Sequence, residues 1–214
     1  MGREQHAAWM ERTGLIAIVR LDSAGELVPV AKAIAAGGVS VIEFTMTTPG
    51  ALRTIEESSK ALAGEVLIGA GTVLDAETAR AAILAGAEFI VAPTLNPKVI
   101  EICHRYDKVV VPGAYTPTEI LTAWELGADF VKLFPAEVGG PAYLKAVRAP
   151  LPQVRLVAVG GVTVETAGAF IRAGAVALGV GSNLVNQKVV AEGRLTDLTA
   201  TARALSQAVQ EARK

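Results

Sequence analysis

One arrangement recurs along this chain: an alanine-rich stretch with helical spacing, then a glycine, then a short apolar run rich in β-branched residues. Four junctions repeat it closely, namely AAGGVSVIEF, LAGAEFIVAP, ELGADFVKLF and RAGAVALGVG. This order predicts a helix ended by glycine and followed by a buried strand. Repetition of one such unit favours a parallel sheet covered by helices, and it argues against all-helical and all-β folds.

The apolar runs predict eight strands, at 15–20, 39–46, 66–73, 88–94, 108–114, 129–135, 154–162 and 175–182. Successive runs begin about 20 to 27 residues apart, which leaves room for one helix in each interval. Helix starts are indicated by Asp75, by Asn96 before Pro97, by Thr48 before Pro49, and by the capping-box pair Thr116 and Glu119.

Eight such units predict an α/β fold of the closed (β/α)8 TIM-barrel type, formed by residues 1–214 as a single domain. Residues 2–12 are expected to form a short extra N-terminal helix that closes the bottom of the barrel. The alternative is a doubly wound open sheet. Both dinucleotide-like runs, 69–74 and 179–184, nevertheless end in Leu where the third glycine of that fingerprint belongs.

The charge balance restricts the partners. The chain has 20 Lys and Arg against 21 Asp and Glu, so there is no electrostatic reason to expect nucleic acid or an anionic membrane as a partner. We expect a small-molecule ligand instead. No apolar run approaches the ~18 residues of a membrane span. The single cysteine, Cys103, excludes an internal disulfide and fits a cytoplasmic location, and the two histidines argue against a metal site.

Charged residues near the ends of the predicted strands fall into two groups. Three lie late in their strands: Arg20, Glu43 and Lys132. Three others lie at strand starts and are interpreted as solvated ends: Glu88, Lys108 and Arg155. Because the active sites of (β/α)8 barrels lie at the C-terminal ends of the strands, the first group supplies the candidate functional residues.

Lys132 stands between Val131 and Leu133 in a buried strand, where desolvation lowers the pKa of an amine. A neutral amine is a nucleophile and can form a Schiff base with a ketone. The alternative is a structural ion pair of Lys132 with Glu43 that fills the mouth of the barrel. A metal-dependent enzyme would need more carboxylates or histidines at strand ends, so we expect no metal.

Further residues at strand ends could contact a ligand: Thr45, Thr72, Pro93 and Phe134. Glycines after the seventh and eighth strands are a common phosphate cradle in this fold, because they expose backbone N–H groups. The residues at these positions are Gly160, Gly161, Gly181 and Ser182. Cys103, in the helical EICHRY stretch, is interpreted as a packing residue.

Several blocks together resemble one family: GGVSVIEFTMTTPGA, IGAGTV, GAEFIVAPTLN, VPGAYTPTE, FVKLFPAE, AVGGVT and GVGSNLV. They are similar to the class I 2-keto-3-deoxy-6-phosphogluconate (KDPG) aldolases, which often also cleave 4-hydroxy-2-oxoglutarate (KHG). The resemblance spans essentially the whole chain. It implies a homotrimeric barrel enzyme, without metal or organic cofactor, that splits a phosphorylated sugar acid into pyruvate and an aldehyde.

By motif position, the resemblance makes Lys132 the Schiff-base lysine and Glu43 the proton carrier. Thr72 and Pro93 would line the pyruvate end, and Phe134 would pack beside the lysine. Gly160, Gly161 and Ser182 would hold the phosphate.

Two positions depart from the family pattern. Thr47 stands where some members carry an arginine that anchors the substrate carboxylate, and Arg20 could supply that charge instead. Val159 stands where many phosphogluconate aldolases have Thr, which resembles the branch that acts on the galactonate epimer.

Two other functions remain open from the residues. One is a cofactor-free isomerase or epimerase of a sugar phosphate that uses Glu43 as a base without a covalent step. The other is a non-catalytic trimeric scaffold that keeps only the fold.

Overall fold

The computed structural model describes residues 2–22 and 27–214. Its strands, β1 to β9 in chain order, are Leu15–Val19, Val41–Thr45, Leu67–Gly71, Phe89–Val91, Val109–Val111, Gly113–Ala114, Val131–Leu133, Leu156–Val159 and Ala177–Val180. Its helices, α1 to α10, are Arg3–Thr13, Leu27–Ala36, Ala51–Ala61, Ala76–Leu84, Pro97–Arg105, Pro117–Glu125, Gly140–Arg148, Val164–Arg172, Gln187–Ala191 and Leu195–Ala212.

All the strands pair in parallel in the order β5-β4-β3-β2-β1-β9-β8-β7-β6. The two ends of this series, β5 and β6, are consecutive pieces of one predicted strand, separated only by Pro112. Proline has no N–H to donate to a ladder, which is why the strand is divided there. Its carbonyl still accepts from Lys132 N at 2.9 Å, so the sheet closes into the eight-stranded barrel that the sequence predicts, and the open-sheet alternative is wrong.

Side chains alternate between the two faces of the sheet. Those pointing outward pack against the helices in one large apolar cluster, which includes Ile42, Phe44, Val131 and Leu133. Those pointing inward form a smaller cluster inside the barrel. Glu43 and Lys132 lie between outward-facing neighbours, so both point into the barrel.

The N-terminal helix α1 covers the bottom of the barrel, as predicted. Its Ala7 and Met10 join the inward-facing apolar cluster. Two charged residues at strand starts lie close to this helix: Glu88 is 3.3 Å from His6, and Arg155 is 3.9 Å from Glu11. The third, Lys108, pairs with Glu88. The side chains of Glu88, Lys108 and Arg155 are 34%, 20% and 35% exposed, so these ends are partly solvated, as predicted, and partly shielded by neighbouring groups.

The predicted helix starts are confirmed in three of four cases. Asp75 and Asn96 cap α4 and α5, and Thr116 forms the reciprocal capping box with Glu119 at α6. Thr48 is the exception, because α3 begins at Ala51 after Gly50.

Candidate active site

A cavity of about 800 Å³ opens at the C-terminal ends of the barrel strands. Its wall includes most of the predicted site residues: Arg20, Glu43, Thr72, Pro93, Lys132, Phe134, Gly160, Gly161, Gly181 and Ser182. The fold brings these residues together because they lie in or just after seven of the parallel strands, β1 to β4 and β7 to β9, and all the strands end at the same rim. The site therefore lies opposite to the face that α1 closes.

Lys132 and Glu43 are buried charged residues of the cavity wall, with only 7% and 2% of their surface exposed. Both residues belong to the described part of the chain, and their charged atoms do not approach within the 4.0 Å of an ion pair. The Lys132 ammonium nitrogen lies 4.8 Å from the centre of the Phe134 ring. The interpretation of these two residues as a structural ion pair is therefore not supported, and both remain open to the cavity.

Burial dominates the ionisation of this pair. Desolvation lowers the pKa of Lys132, and the Arg20 cation lowers it further, while the negative charge of Glu43 opposes them. Desolvation raises the pKa of Glu43, against the two cations Lys132 and Arg20. Both groups are thus shifted toward their neutral forms, a nucleophilic amine beside a carboxylic acid that can donate a proton.

Gly71, at the end of β3, makes room for the carboxyl group of Glu43. A Cβ atom at this position would coincide with Oε1 of Glu43. The two residues are on adjacent parallel strands, β2 and β3, and their side-chain positions both face inward. Glycine is required here by this close approach, and it allows Glu43 to lie against the backbone below the cavity.

Arg20 crosses the mouth of the cavity. It follows β1, and its Nη2 donates to Oγ1 of Thr72, which follows β3, at 3.3 Å. Thr72 has a φ of 56°. This left-handed conformation is strained for a β-branched residue, and such strain is found at functional sites. The guanidinium is exposed and lies at the side of the cavity near Glu43 and Lys132.

Two loops rich in glycine form the opposite side of the cavity, after β8 and after β9. Within residues 2–22 and 27–214, no protein acceptor takes the backbone N–H groups of Gly161, Val162, Ser182 or Asn183. The loops are tied together, because Asn183 Nδ2 donates to the Val162 carbonyl at 2.8 Å. A set of free N–H groups held in this way can bind an anion.

Two predicted residues, Thr45 and Thr47, are not part of the cavity wall. Thr45 is fully buried, and Thr47 is exposed and donates to it at 3.1 Å. Conversely, some polar residues that the motifs did not single out line the cavity: Glu137, Asn183, Asn186, Gln187 and Lys188. Their signal was their place directly after the sixth and eighth predicted strands, in FPAE and GSNLVNQK.

Within residues 2–22 and 27–214, no group of three or more His, Cys, Asp or Glu side chains could hold a metal ion. In the same part of the chain no helix has the length and apolarity to cross a membrane.

The sequence of the chain matches the model of a family described as KDPG and KHG aldolase, over residues 7–201. A 2-dehydro-3-deoxy-phosphogluconate aldolase of Treponema pallidum is 36% identical over 89% of this chain and 91% of the relative. A 2-dehydro-3-deoxy-6-phosphogalactonate aldolase of Escherichia coli is also 36% identical, over 94% of this chain and 99% of the relative.

The structure of the chain is also similar to solved structures. A protein cage designed by fusing symmetric oligomeric domains contains a similar chain, with a TM-score of 0.87 and 34% identity over 94% of this chain and 73% of that one. KDPG aldolase from Legionella pneumophila, with pyruvate captured as a covalent carbinolamine, has a TM-score of 0.83 and 26% identity over 93% of this chain and 97% of that one.

Proposed function

We propose a residue-level mechanism for this chain, which belongs to the KDPG and KHG aldolase family and is a lyase of the Schiff-base aldolase type. The substrate is a phosphorylated 2-keto-3-deoxy sugar acid, and the products are pyruvate and an aldehyde. The observation that carries the mechanism is the buried pair Lys132 and Glu43, whose pKa values are shifted so as to favour the neutral amine and the neutral carboxylic acid. The same cavity also contains the Arg20 cation and a set of free backbone N–H groups.

Lys132 is the nucleophile. Its amine attacks the C2 carbonyl of the substrate to form a carbinolamine, and loss of water then gives an iminium ion. When the C3–C4 bond breaks, its electron pair moves into the iminium to give an enamine, and the C4 hydroxyl loses its proton as the aldehyde leaves. Protonation of the enamine at C3 and addition of water release pyruvate and the free lysine.

Glu43 carries the protons in these steps. It gives a proton to the oxygen that leaves as water, accepts the proton of the C4 hydroxyl, and returns a proton to C3. The raised pKa of Glu43 supports both directions of transfer, because a carboxyl group with a raised pKa can donate a proton and then take one up again.

Arg20 holds the carboxylate of the keto acid. A guanidinium binds a planar carboxylate through two parallel hydrogen bonds, which fixes the orientation of the adjacent ketone. Thr72, which already accepts from Arg20, completes this end of the site, and Pro93 and Phe134 provide its apolar walls.

The free N–H groups of the two glycine loops hold the phosphate. Gly160, Gly161, Gly181 and Ser182 lie in these loops, and the exposed ammonium of Lys188 adds a positive charge at the rim. The carboxylate site, at Arg20 and Thr72, and the phosphate site, after β8 and β9, are thus at different parts of the rim, as a substrate with two anionic ends requires.

The natural substrate is proposed to be KDPG, with KHG as a second substrate. The alternative natural substrate is the galactonate epimer of KDPG. Val159, on the cavity wall, favours the epimer, and the two relatives are named for one epimer each. Comparison of kcat/KM for the gluconate, galactonate and hydroxyoxoglutarate substrates in one assay decides between them.

Borohydride trapping tests the mechanism. Incubation with pyruvate and borohydride should place a reduced pyruvyl group on Lys132, as read from peptide masses. Lys132→Arg should remove both the adduct and turnover, because a guanidinium is not deprotonated near neutral pH. Lys108→Arg changes a part-buried lysine at the other end of the barrel and should retain both. Turnover without any adduct would instead indicate non-covalent chemistry, with Glu43 as the base.

A homotrimer is proposed as the assembly. The support is the resemblance of the motifs to a trimeric family and the similarity to a chain used as a symmetric oligomeric domain. A sedimentation mass near that of one subunit at micromolar protein concentration would refute it.

A cytoplasmic location is proposed as well. The support is that the chain contains one cysteine, Cys103, and therefore no internal disulfide, which fits a reducing compartment. Cell fractionation with antibody detection tests the location.

A further inference from the structure

A cluster of threonine hydroxyls lies at the end of β2, outside the cavity wall. Thr45 Oγ1 lies 3.1 Å from Thr48 Oγ1, and either hydroxyl can donate to the other. Thr48 Oγ1 also accepts the backbone N–H of Leu21 at 3.2 Å. Thr48 is 4% exposed, so this hydroxyl serves the interior of the protein and is not in contact with solvent or with the cavity.

The position of this cluster relates it to Arg20. In the sheet, β2 lies between β1 and β3. Arg20 follows β1 and reaches Thr72 after β3, so its side chain spans two inter-strand spacings, roughly 10 Å in total. The Arg20 side chain therefore passes over the end of β2, where Thr45 and Thr48 lie.

An exposed arginine has many rotamers and loses them when it is held in one extended conformation. Its backbone must therefore be fixed if the guanidinium is to remain at the site. Leu21, the next residue, is no longer in β1, and its N–H donates to the Thr48 hydroxyl instead of to a strand. This bond fixes the peptide that connects Arg20 to Leu21.

We propose that Thr48 is a positioning residue for recognition of the 2-keto acid. Its hydroxyl holds the Arg20–Leu21 peptide at the end of β2, and Thr45 orients that hydroxyl. The guanidinium can then extend across β2 to Thr72 and bind the carboxylate. This inference rests on the function proposed above for Arg20.

The test compares variants in pyruvate trapping. Thr48→Val removes the acceptor for Leu21 N–H, and the concentration of pyruvate for half-maximal adduct formation should rise roughly tenfold, as expected for one lost buried hydrogen bond. Thr48→Ser keeps the hydroxyl and should restore trapping. In an Arg20→Ala background, Thr48→Val should add less than about twofold, because both changes remove the same interaction.

A matched control is Thr199→Val. The Thr199 hydroxyl donates to the Ala33 carbonyl at 2.8 Å, in the layer of helices, so this variant loses a part-buried hydrogen bond away from the site. It should lower thermal stability and leave pyruvate trapping unchanged. Thr48→Ala is measured beside Thr48→Val, so that poor packing of the valine does not decide the result.

The inference is overturned if Thr48→Val and Thr48→Ala trap pyruvate like the wild type, or weaken trapping equally in both backgrounds. It is also overturned if both are unfolded by circular dichroism while Arg20→Ala is folded, since the hydroxyl would then be purely structural. Wild-type protein that traps no pyruvate would refute the proposed function itself. If Arg20→Ala trapped pyruvate like the wild type, the result would refute only the role of Arg20 and, with it, that of Thr48.

Discussion

Lys132 and Glu43 illustrate how two opposite charges can be kept reactive instead of paired. In contact they would form an ion pair, and the amine would remain protonated. Their separation within one buried cavity weakens that attraction, so desolvation has the larger effect on each pKa. The result is a lysine available as a nucleophile and a carboxyl group available as an acid.

The titration of Lys132 should respond in opposite directions to its two charged neighbours. Glu43 raises the pKa of Lys132 and Arg20 lowers it, so Glu43→Gln should lower this pKa further and Arg20→Ala should raise it. As pH rises, the free amine then appears earlier in the first variant and later in the second. Competitive acetylation of the folded protein across a pH series, read from the peptide containing Lys132, measures both midpoints.

The exposed Lys98 on α5 provides the internal reference in the same digests, and its labelling profile should be identical in all three proteins. A Lys132 midpoint that does not move in either variant would contradict electrostatic coupling across the cavity.

The phosphate end of the site depends on how two loops are held by the elements around them. Thr163 caps α8 in a reciprocal box with Thr166, and the Thr166 hydroxyl also donates to the Gly161 carbonyl at 3.1 Å. The loop after β9 is joined to this capped loop by the Asn183–Val162 hydrogen bond. The free N–H groups are thus fixed before a ligand arrives, which lowers the entropic cost of binding.

Asn183→Ala should release this connection and weaken phosphate binding. We expect KM for the phosphorylated substrate to rise roughly fivefold, the scale of one neutral hydrogen bond, while trapping of pyruvate stays unchanged. Asn96→Ala is the control, because Asn96 Nδ2 donates to the Leu74 carbonyl at 2.9 Å and neither residue lines the cavity; Asn96 also caps α5, so this variant loses at least as many hydrogen bonds. Equal losses for pyruvate and for the phosphorylated substrate would show a general distortion of the site instead.

The barrel is filled with side chains at one end and open at the other. Below the cavity the interior is packed by apolar side chains such as Val41, Phe89 and Phe130, and α1 closes this layer with Met10, which is 1% exposed. The polar residues of the site lie next to this packed apolar layer, at its cavity side. Stability and chemistry are therefore concentrated at opposite ends of the same strands.

We propose that the chain unfolds as one cooperative domain, and Met10→Ala tests this together with the separation of the two ends. Truncation of a buried methionine should cost about 2–5 kcal/mol of unfolding free energy. Fluorescence and circular dichroism should report one coincident transition at a fixed protein concentration. Pyruvate trapping by the folded variant should match the wild type.

The exposed Gln5 on the same helix offers the control, since Gln5→Ala should change the unfolding free energy by less than about 0.5 kcal/mol. Two separate transitions in either protein would contradict a single domain.

The sequence by itself predicted the barrel and the candidates Lys132, Glu43 and Arg20, because β-branched apolar runs, glycine C-caps and charges within those runs are local signals. It placed the strand ends less well, and the structure shortens the predicted strand 129–135 to Val131–Leu133. The three-dimensional arrangement was needed for every relation that depends on the distance between strands. It separated Lys132 from Glu43, showed that Gly71 makes room for Glu43, and extended Arg20 across β2 to Thr72. It also showed that the Thr48 hydroxyl accepts from the Leu21 N–H, just beyond β1, instead of capping a helix.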